Sequence, residues 1–324
     1  MFDAAIASHV DGLPRYLSSL PSVRATSIVN VLPIWDYNAL SSADILFNCK
    51  NLVVVGDDAE PRSFDSSTLS LLGSLEASVN IHDLSLDVSG PNRVKRGIPL
   101  DLLRTLDQQH PKALSGLSFP LCRNPFPPQK FSSDAWAWIE AQGKGFCKSR
   151  KPYPVPEMRW GLASTAGTYH YFHLDANGYG TFMTMDHGCK LWFFASPKNI
   201  SGLAFDSIDL YTVGFKASES NLDLWDVELV VLQPGSKLIM RPNQPHAVCT
   251  PIHTVCRGSH YYAATTLRDT IAGIYHTTVA GGLLTNTDHG SASRAVLMQI
   301  LTTTLCNLVD DVPAGSSSQT IDTV

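Results

Sequence analysis

The stretch YHYFHLDANGYGTFMTMDHGCKLWFF, Tyr169–Phe194, decides how this chain is read. It places His173, Asp175 and Lys190 in an aromatic, glycine-spaced run of the kind that forms short strands. Side chains alternate faces along a strand, so His173 and Asp175 point the same way and His170 points the other unless a bulge intervenes. His187-Gly188 reads as a tight hairpin turn that folds CKLWFF back along GTFMTM. In that register Lys190 faces Met185, with Met183 and Thr181 further along the same face. A strand that only filled a core would have little use for these polar groups.

The surrounding sequence has the same texture. From Trp160 to Tyr262 the segments TYHYFHLD, GTFMTM, CKLWFFA, WDVELVVL, SKLIMRP, HAVCTP and GSHYYAA are short, β-rich and separated by turn signals. Such spacing predicts antiparallel strands closed into a barrel or a double-sheet jelly roll, cupins included. Upstream, NLVVVG reads as a buried strand and SVNIHDLSL as an alternating one. SSTLSLLGSLEA, IPLDLLRTLDQQ and SSDAWAWIEAQGKG read as helices, and Pro14, Pro21 and Pro33 break the first 45 residues into short helical pieces. Downstream, LRDTIAGIYHTTVAGGLL and ASRAVLMQILTTTLCNLV are helical, and PAGSSSQTIDTV reads as a disordered tail. The fold class is therefore mainly β with helical flanks. A helical lead-in spans 1–45, the β-rich domain 46–265, helices 266–310 and the tail 311–324.

Bulk composition excludes more than it suggests. With 324 residues, 44% hydrophobic and 16% charged, the chain can bury a sizeable core. A net charge of −5 gives no sign of binding nucleic acid through overall charge. The basic runs NRVKRG and KSRK read as solvated loops. Seven cysteines, none in a CxxC pair, argue against a disulfide framework and a structural zinc knot. The N-terminus lacks a secretory pattern and no apolar run reaches membrane-span length, which predicts an intracellular protein, nuclear or cytoplasmic.

An imidazole and a carboxylate on one strand face can serve as two arms of a metal site. The best third arm is His246 in VVLQPGSKLIMRPNQPHAVCTP, where Pro242 and Pro245 stiffen the backbone. Two histidines and a carboxylate on one face of a metal leave open positions, as in non-haem Fe(II) oxygenases. A zinc enzyme could use the same residues, whereas structural zinc sites are closed and usually thiolate-rich.

HLD…GCKLWFF followed by WDVELVVLQPGSKLIMRPNQPHAV resembles the JmjC family of Fe(II)- and 2-oxoglutarate-dependent oxygenases. With AGTYHYFH ahead of it, the run is especially similar to the small JmjC-like proteins numerous in mushroom-forming fungi. The resemblance covers roughly Trp160 to Tyr262. It implies a double-stranded β-helix (cupin) core, with Fe(II) on His173, Asp175 and His246 and Lys190 on the far carboxylate of 2-oxoglutarate. Thr181 falls where relatives often carry asparagine, and Thr168 falls where some carry a hydroxyl residue, so both become cosubstrate candidates. The implied reaction is hydroxylation or demethylation of a C–H bond, with succinate and CO2 as co-products. A protein side chain is the leading substrate, nucleic acid stays open, and no membrane partner is expected.

Two other classes remain as alternatives: a catalytically silent JmjC-like binding module, and a cupin metalloenzyme that does not use 2-oxoglutarate. Lys190 separates the last from the first. The remaining histidines read as packing, with His187 in the turn and His253 and His260 flanking the last strand. Cys249 and Cys256 lack the partners of a zinc site. Trp136, Trp138 and Trp160 read as core, or as an aromatic lining at a cupin mouth. The C-terminal helices pack on the barrel or on a second copy of the chain in a homodimer.

Overall fold

The computed structural model describes residues 27–39, 50–86, 94–120, 132–143, 153–198, 225–280, 285 and 291–310. The thirteen described strands begin with β1 (Val29–Pro33), β2 (Asn51–Val55), β3 (Val79–Asp83), β4 (Val94–Gly97) and β5 (Leu114–Pro120). The next four are β6 (Arg159–Ser164), β7 (Thr168–His173), β8 (Gly180–His187) and β9 (Lys190–Pro197). The last are β10 (Trp225–Leu232), β11 (Lys237–Met240), β12 (His246–Thr250) and β13 (Thr254–Tyr261). They form a nine-stranded sheet, β1-β2-β11-β8-β13-β6-β5-β3-β4, and a four-stranded sheet, β10-β9-β12-β7. The fold is mainly β with helical flanks.

The alternation of side chains explains why the two sheets stack. On β9, Trp192 and Phe194 join Met183 and Met185 of β8, Leu238 and Met240 of β11, Val248 of β12 and Cys256 of β13 in one core cluster. The intervening Leu191, Phe193 and Ala195 belong to a second cluster on the other face of the small sheet, with Ala247 and Cys249 of β12. One strand thus feeds two apolar layers, as the near-continuous hydrophobicity of KLWFFA requires.

The expected hairpin between β8 and β9 does not form, because the strands belong to different sheets. Gly188 turns the chain from one layer to the other at φ +87°, and a Cβ there would lie 2.1 Å from the His253 carbonyl. Only glycine suits that position. Lys190 and Thr181 still share a space, since each points inward from its own sheet.

The lead-in differs in part from the helical expectation. β1 is a strand, paired in parallel with β2, and only Ile34–Ala39 (α1) is helical among the described residues of 1–45. β2 is buried and continues the large sheet beside β11. At the opposite edge lies β4, so NRVKRG is in part an edge strand with Lys95 and Arg96 exposed. Charge on an edge discourages strand addition. KSRK and the tail 311–324 lie outside the described residues.

The other expected helices form as Ser66–Leu69 (α2), Leu100–Arg104 (α3) and Asp134–Gly143 (α4). A further short helix, Val155–Met158 (α5), leads into β6. The C-terminal pair is Leu267–Ala280 (α6) and Ser291–Asp310 (α7). α7 packs on α4 through Val296, Leu297 and Ile300 against Ala137 and Trp138, whereas Trp136 is exposed. α6 meets the turn after β7 backbone to backbone. Gly178 has φ +63°, and a Cβ on it would lie 2.2 Å from the Thr270 carbonyl. No described helix is long and apolar enough to cross a membrane.

Candidate metal centre

His173 ends β7, Asp175 follows it, and His246 opens β12, where it pairs with His173. Ligand atoms of the three residues all lie within 4.8 Å of one another. The rings of His173 and His246 are 4.2 Å apart, and His246 Nε2 lies 4.0 Å from Asp175 Oδ1. His173 and His246 are almost fully buried, and Asp175 is partly buried.

Each imidazole is held in the same way. Nδ1 of His173 donates to the Tyr171 carbonyl at 2.7 Å, and Nδ1 of His246 donates to the Gln244 carbonyl at 2.9 Å. Both Nε2 lone pairs are thereby left to the centre, the arrangement that fixes tautomer and ring direction in histidine metal ligands. Trp192 stacks on His246 at 5.0 Å and 10°, which fixes the ring plane.

The loop before His246 is anchored from far away in sequence. Asn51 of β2 accepts from the Arg241 backbone N–H at 2.8 Å and donates to the Gln244 side chain at 2.9 Å. Gln244 in turn donates to the Ala195 carbonyl of β9 at 2.9 Å. Asn243 takes φ +57° between the two prolines, and its side chain accepts from His276 of α6 at 2.9 Å.

The donor set suits a divalent metal. Burial and the neighbouring His246 push His173 down to about 3, so its imidazole is neutral and available at physiological pH. Burial alone would raise Asp175, but His246, His260, His173 and the Thr181 hydroxyl outweigh it and hold the carboxyl below its ordinary value. Two imidazole nitrogens and one carboxylate form a donor set that could hold a divalent metal, without the thiolates usual in structural zinc sites. Burial pushes Cys249 up to about 11 and Cys256 up to about 12, so both stay protonated thiols. They also belong to opposite faces of the small sheet's core layers, which removes them as a ligand pair.

The triad opens into a cavity of about 100 Å³ that Lys190, Thr181, His170, Trp160 and Trp192 also line. One water needs roughly 10–15 Å³ of such space, so a small organic acid fits. Phe194 pairs with His246, so Lys190 starts roughly 13 Å along β9 from that ligand, at about 3.3 Å per residue. Lys190 is 1% exposed, and its ammonium donates to Thr250 Oγ1 at 3.0 Å. It makes no ion pair among the described residues. Burial lowers its pKa below the ordinary lysine value.

Thr181 lines the cavity, but its hydroxyl donates to Asp175 Oδ2. Thr168 does not line it. Its buried hydroxyl has no hydrogen-bond partner among the described residues, and Thr168 sits opposite Thr250 in the β7–β12 register.

Unbroken parity turns His170 away from the site, but a bulge intervenes. Between His173 and His170 the register slips against His246 and Val248, so β7 carries one extra residue. Tyr171 and Phe172 both pack outward, and His170 returns to the cavity face. His260 lies within β13 rather than at its end, and it too faces the cavity. Local motifs name neither residue; only the bulge and the β8–β13 pairing bring them in.

These buried histidines make a prediction for the metal-free protein. Unfolded histidines take up a proton near pH 6.5, whereas folded His173 waits until about 3, and His170 and His253 are lowered as well. Between those values the unfolded chain binds more protons, so stability falls as pH falls. Calorimetry of chelator-treated protein should show Tm dropping steadily from pH 6.5 towards 4. A flat profile would contradict the buried, neutral imidazoles.

No family model and no curated protein matches the chain.

Proposed function

We propose that the chain is an Fe(II)- and 2-oxoglutarate-dependent dioxygenase of the JmjC type, a hydroxylase or demethylase of a substrate C–H bond. The observation that carries this reading is Lys190. A buried ammonium without a carboxylate is a costly arrangement unless a ligand supplies the counter-charge. The cavity joins it to a three-residue metal centre. A ligand spanning both needs a chelating group at one end and an anionic group at the other. 2-Oxoglutarate has that form.

Strand order supports the double-stranded β-helix reading. β6 to β13 divide into β11-β8-β13-β6 within the large sheet and β10-β9-β12-β7 as the small one. The metal ligands sit on β7 and β12 of the small half, or just after β7.

Bound Fe(II) and 2-oxoglutarate supply oxygen activation, coupling decarboxylation to succinate and CO2 with oxidation of the substrate. The chain supplies the rest. His173, Asp175 and His246 hold the metal, while Lys190 pairs with the distal carboxylate. The Trp160 and Trp192 indole N–H groups are buried without acceptors among the described residues, and both residues line the cavity. That excess of donors favours an acceptor-rich ligand. Thr168 is buried outside the cavity lining, and the Thr181 hydroxyl is already engaged by Asp175. Leu162, Met183 and Val248 complete an apolar wall that limits water. A metal cupin acting without 2-oxoglutarate would give Lys190 no anion to hold.

Protein reconstituted anaerobically with Fe(II), then given 2-oxoglutarate and air, should form succinate even without a primary substrate. Calorimetry should show 2-oxoglutarate binding that requires the metal. Metal-loaded protein with neither binding nor succinate would overturn the proposal.

A further inference from the structure

The residues behind Asp175 form a chain of contacts that metal binding alone does not require. Thr181 and His260 are cross-strand partners on β8 and β13, and both face the cavity. Thr181 donates its hydroxyl proton to Asp175 Oδ2. A hydroxyl carries one proton, so its 3.3 Å contact with His260 Nδ1 is satisfied when the imidazole donates. His260 is clamped for that task. Its ring stacks on Tyr179 at 4.8 Å and 18°, and Trp160 lies 5.8 Å away on a tilted plane. Asp175 Oδ1, by contrast, faces His246 Nε2.

We propose that Thr181 and His260 are positioning residues that keep Asp175 Oδ2 occupied, so that the carboxylate offers a metal only Oδ1. The inference rests on the reading of His173, Asp175 and His246 as a metal centre. It matters because of the number of positions needed. A six-coordinate metal on three protein ligands keeps three open positions. A 2-oxo acid chelating through two atoms leaves one for oxygen. A carboxylate binding through both oxygens would take that last position. The Thr181 hydrogen bond prevents this by engaging the second oxygen, and His260 keeps the hydroxyl turned towards it.

Co(II) tests the proposal without turnover, because its visible bands report coordination number. The parent protein, Thr181→Val, Thr181→Ser and His260→Phe would be titrated with Co(II), with circular dichroism to verify folding. Thr181→Val should shift and weaken the visible bands as the second oxygen enters. It should also lose roughly 10- to 100-fold in Co(II) affinity, the usual effect of removing a hydrogen bond to a metal ligand. Thr181→Ser should restore the parent spectrum, and His260→Phe should move it in the same direction as Thr181→Val. A folded Thr181→Val protein with the parent spectrum overturns the relay. If that variant does not fold, a parental spectrum in His260→Phe overturns it instead. A parent protein that binds no Co(II) overturns the metal centre itself, a result distinct from failure of the relay.

Discussion

Asp175→Ala should leave a protein that no longer retains metal through dialysis and forms no succinate. Asp175 is the only carboxylate in the cluster, and it offsets part of a divalent charge inside a largely buried site. Four-ligand zinc sites bind with about 10–16 kcal/mol, so one ligand is worth about 3 kcal/mol or more. That corresponds to roughly a hundredfold or greater loss in affinity. His173→Ala and His246→Ala should do the same, since each removes one of two oriented Nε2 donors. Metal analysis of the dialysed variants decides the matter. Parental metal content in both Asp175→Ala and His173→Ala would mean that the cluster is not the site.

Lys190→Met should separate two properties that ordinary destabilising substitutions move together. Methionine keeps much of the lysine length and removes a buried charge, so the ligand-free variant should be at least as stable as the parent. Replacing buried ionic groups by apolar ones often stabilises by about 1–4 kcal/mol. Metal retention should persist, because no ligand is touched. 2-Oxoglutarate affinity should fall by the roughly 2–5 kcal/mol typical of deleting one partner of a buried charge pair. Paired thermal melts with and without 2-oxoglutarate would show a raised or equal baseline Tm and a lost ligand-induced shift. A Tm that drops while 2-oxoglutarate still binds would make Lys190 a structural residue.

The sequence was most informative where chemistry and short-range geometry coincide. His173 and Asp175 are two positions apart, and the prolines around His246 mark a rigid approach, so the triad could be named before any fold was known. Lys190 does reach the cavity face, but not for the local reason read from the sequence. Asp186-His187-Gly188 carries the turn chemistry of a hairpin, but a crossing between stacked sheets uses the same residues. His170 was missed because a single bulged residue reverses strand parity, and no residue type announces a bulge. Asn51 and Gln244 lie 193 positions apart, and their hydrogen bond depends on β2 joining β11. Such partners are properties of the assembled sheet. Likewise, β1 read as helix because Pro33 and Ile34–Ala39 dominate the local pattern, while parallel pairing to β2 decides its state.

The contact between α6 and the site loops bears on the order in which a growing chain can complete its chemistry. By residue 261 all thirteen described strands have been made, including all three candidate ligands and Lys190. The turn that follows Asp175 still lacks the helix against which Gly178 closes, and Asn243 still lacks His276. A nascent chain halted at that point would hold every reactive group of the site but not the brace behind two of its loops. Metal loading during synthesis should therefore lag until the segment through Ala280 has left the ribosome, so that a metal ion would reach the site after the surrounding protein has closed.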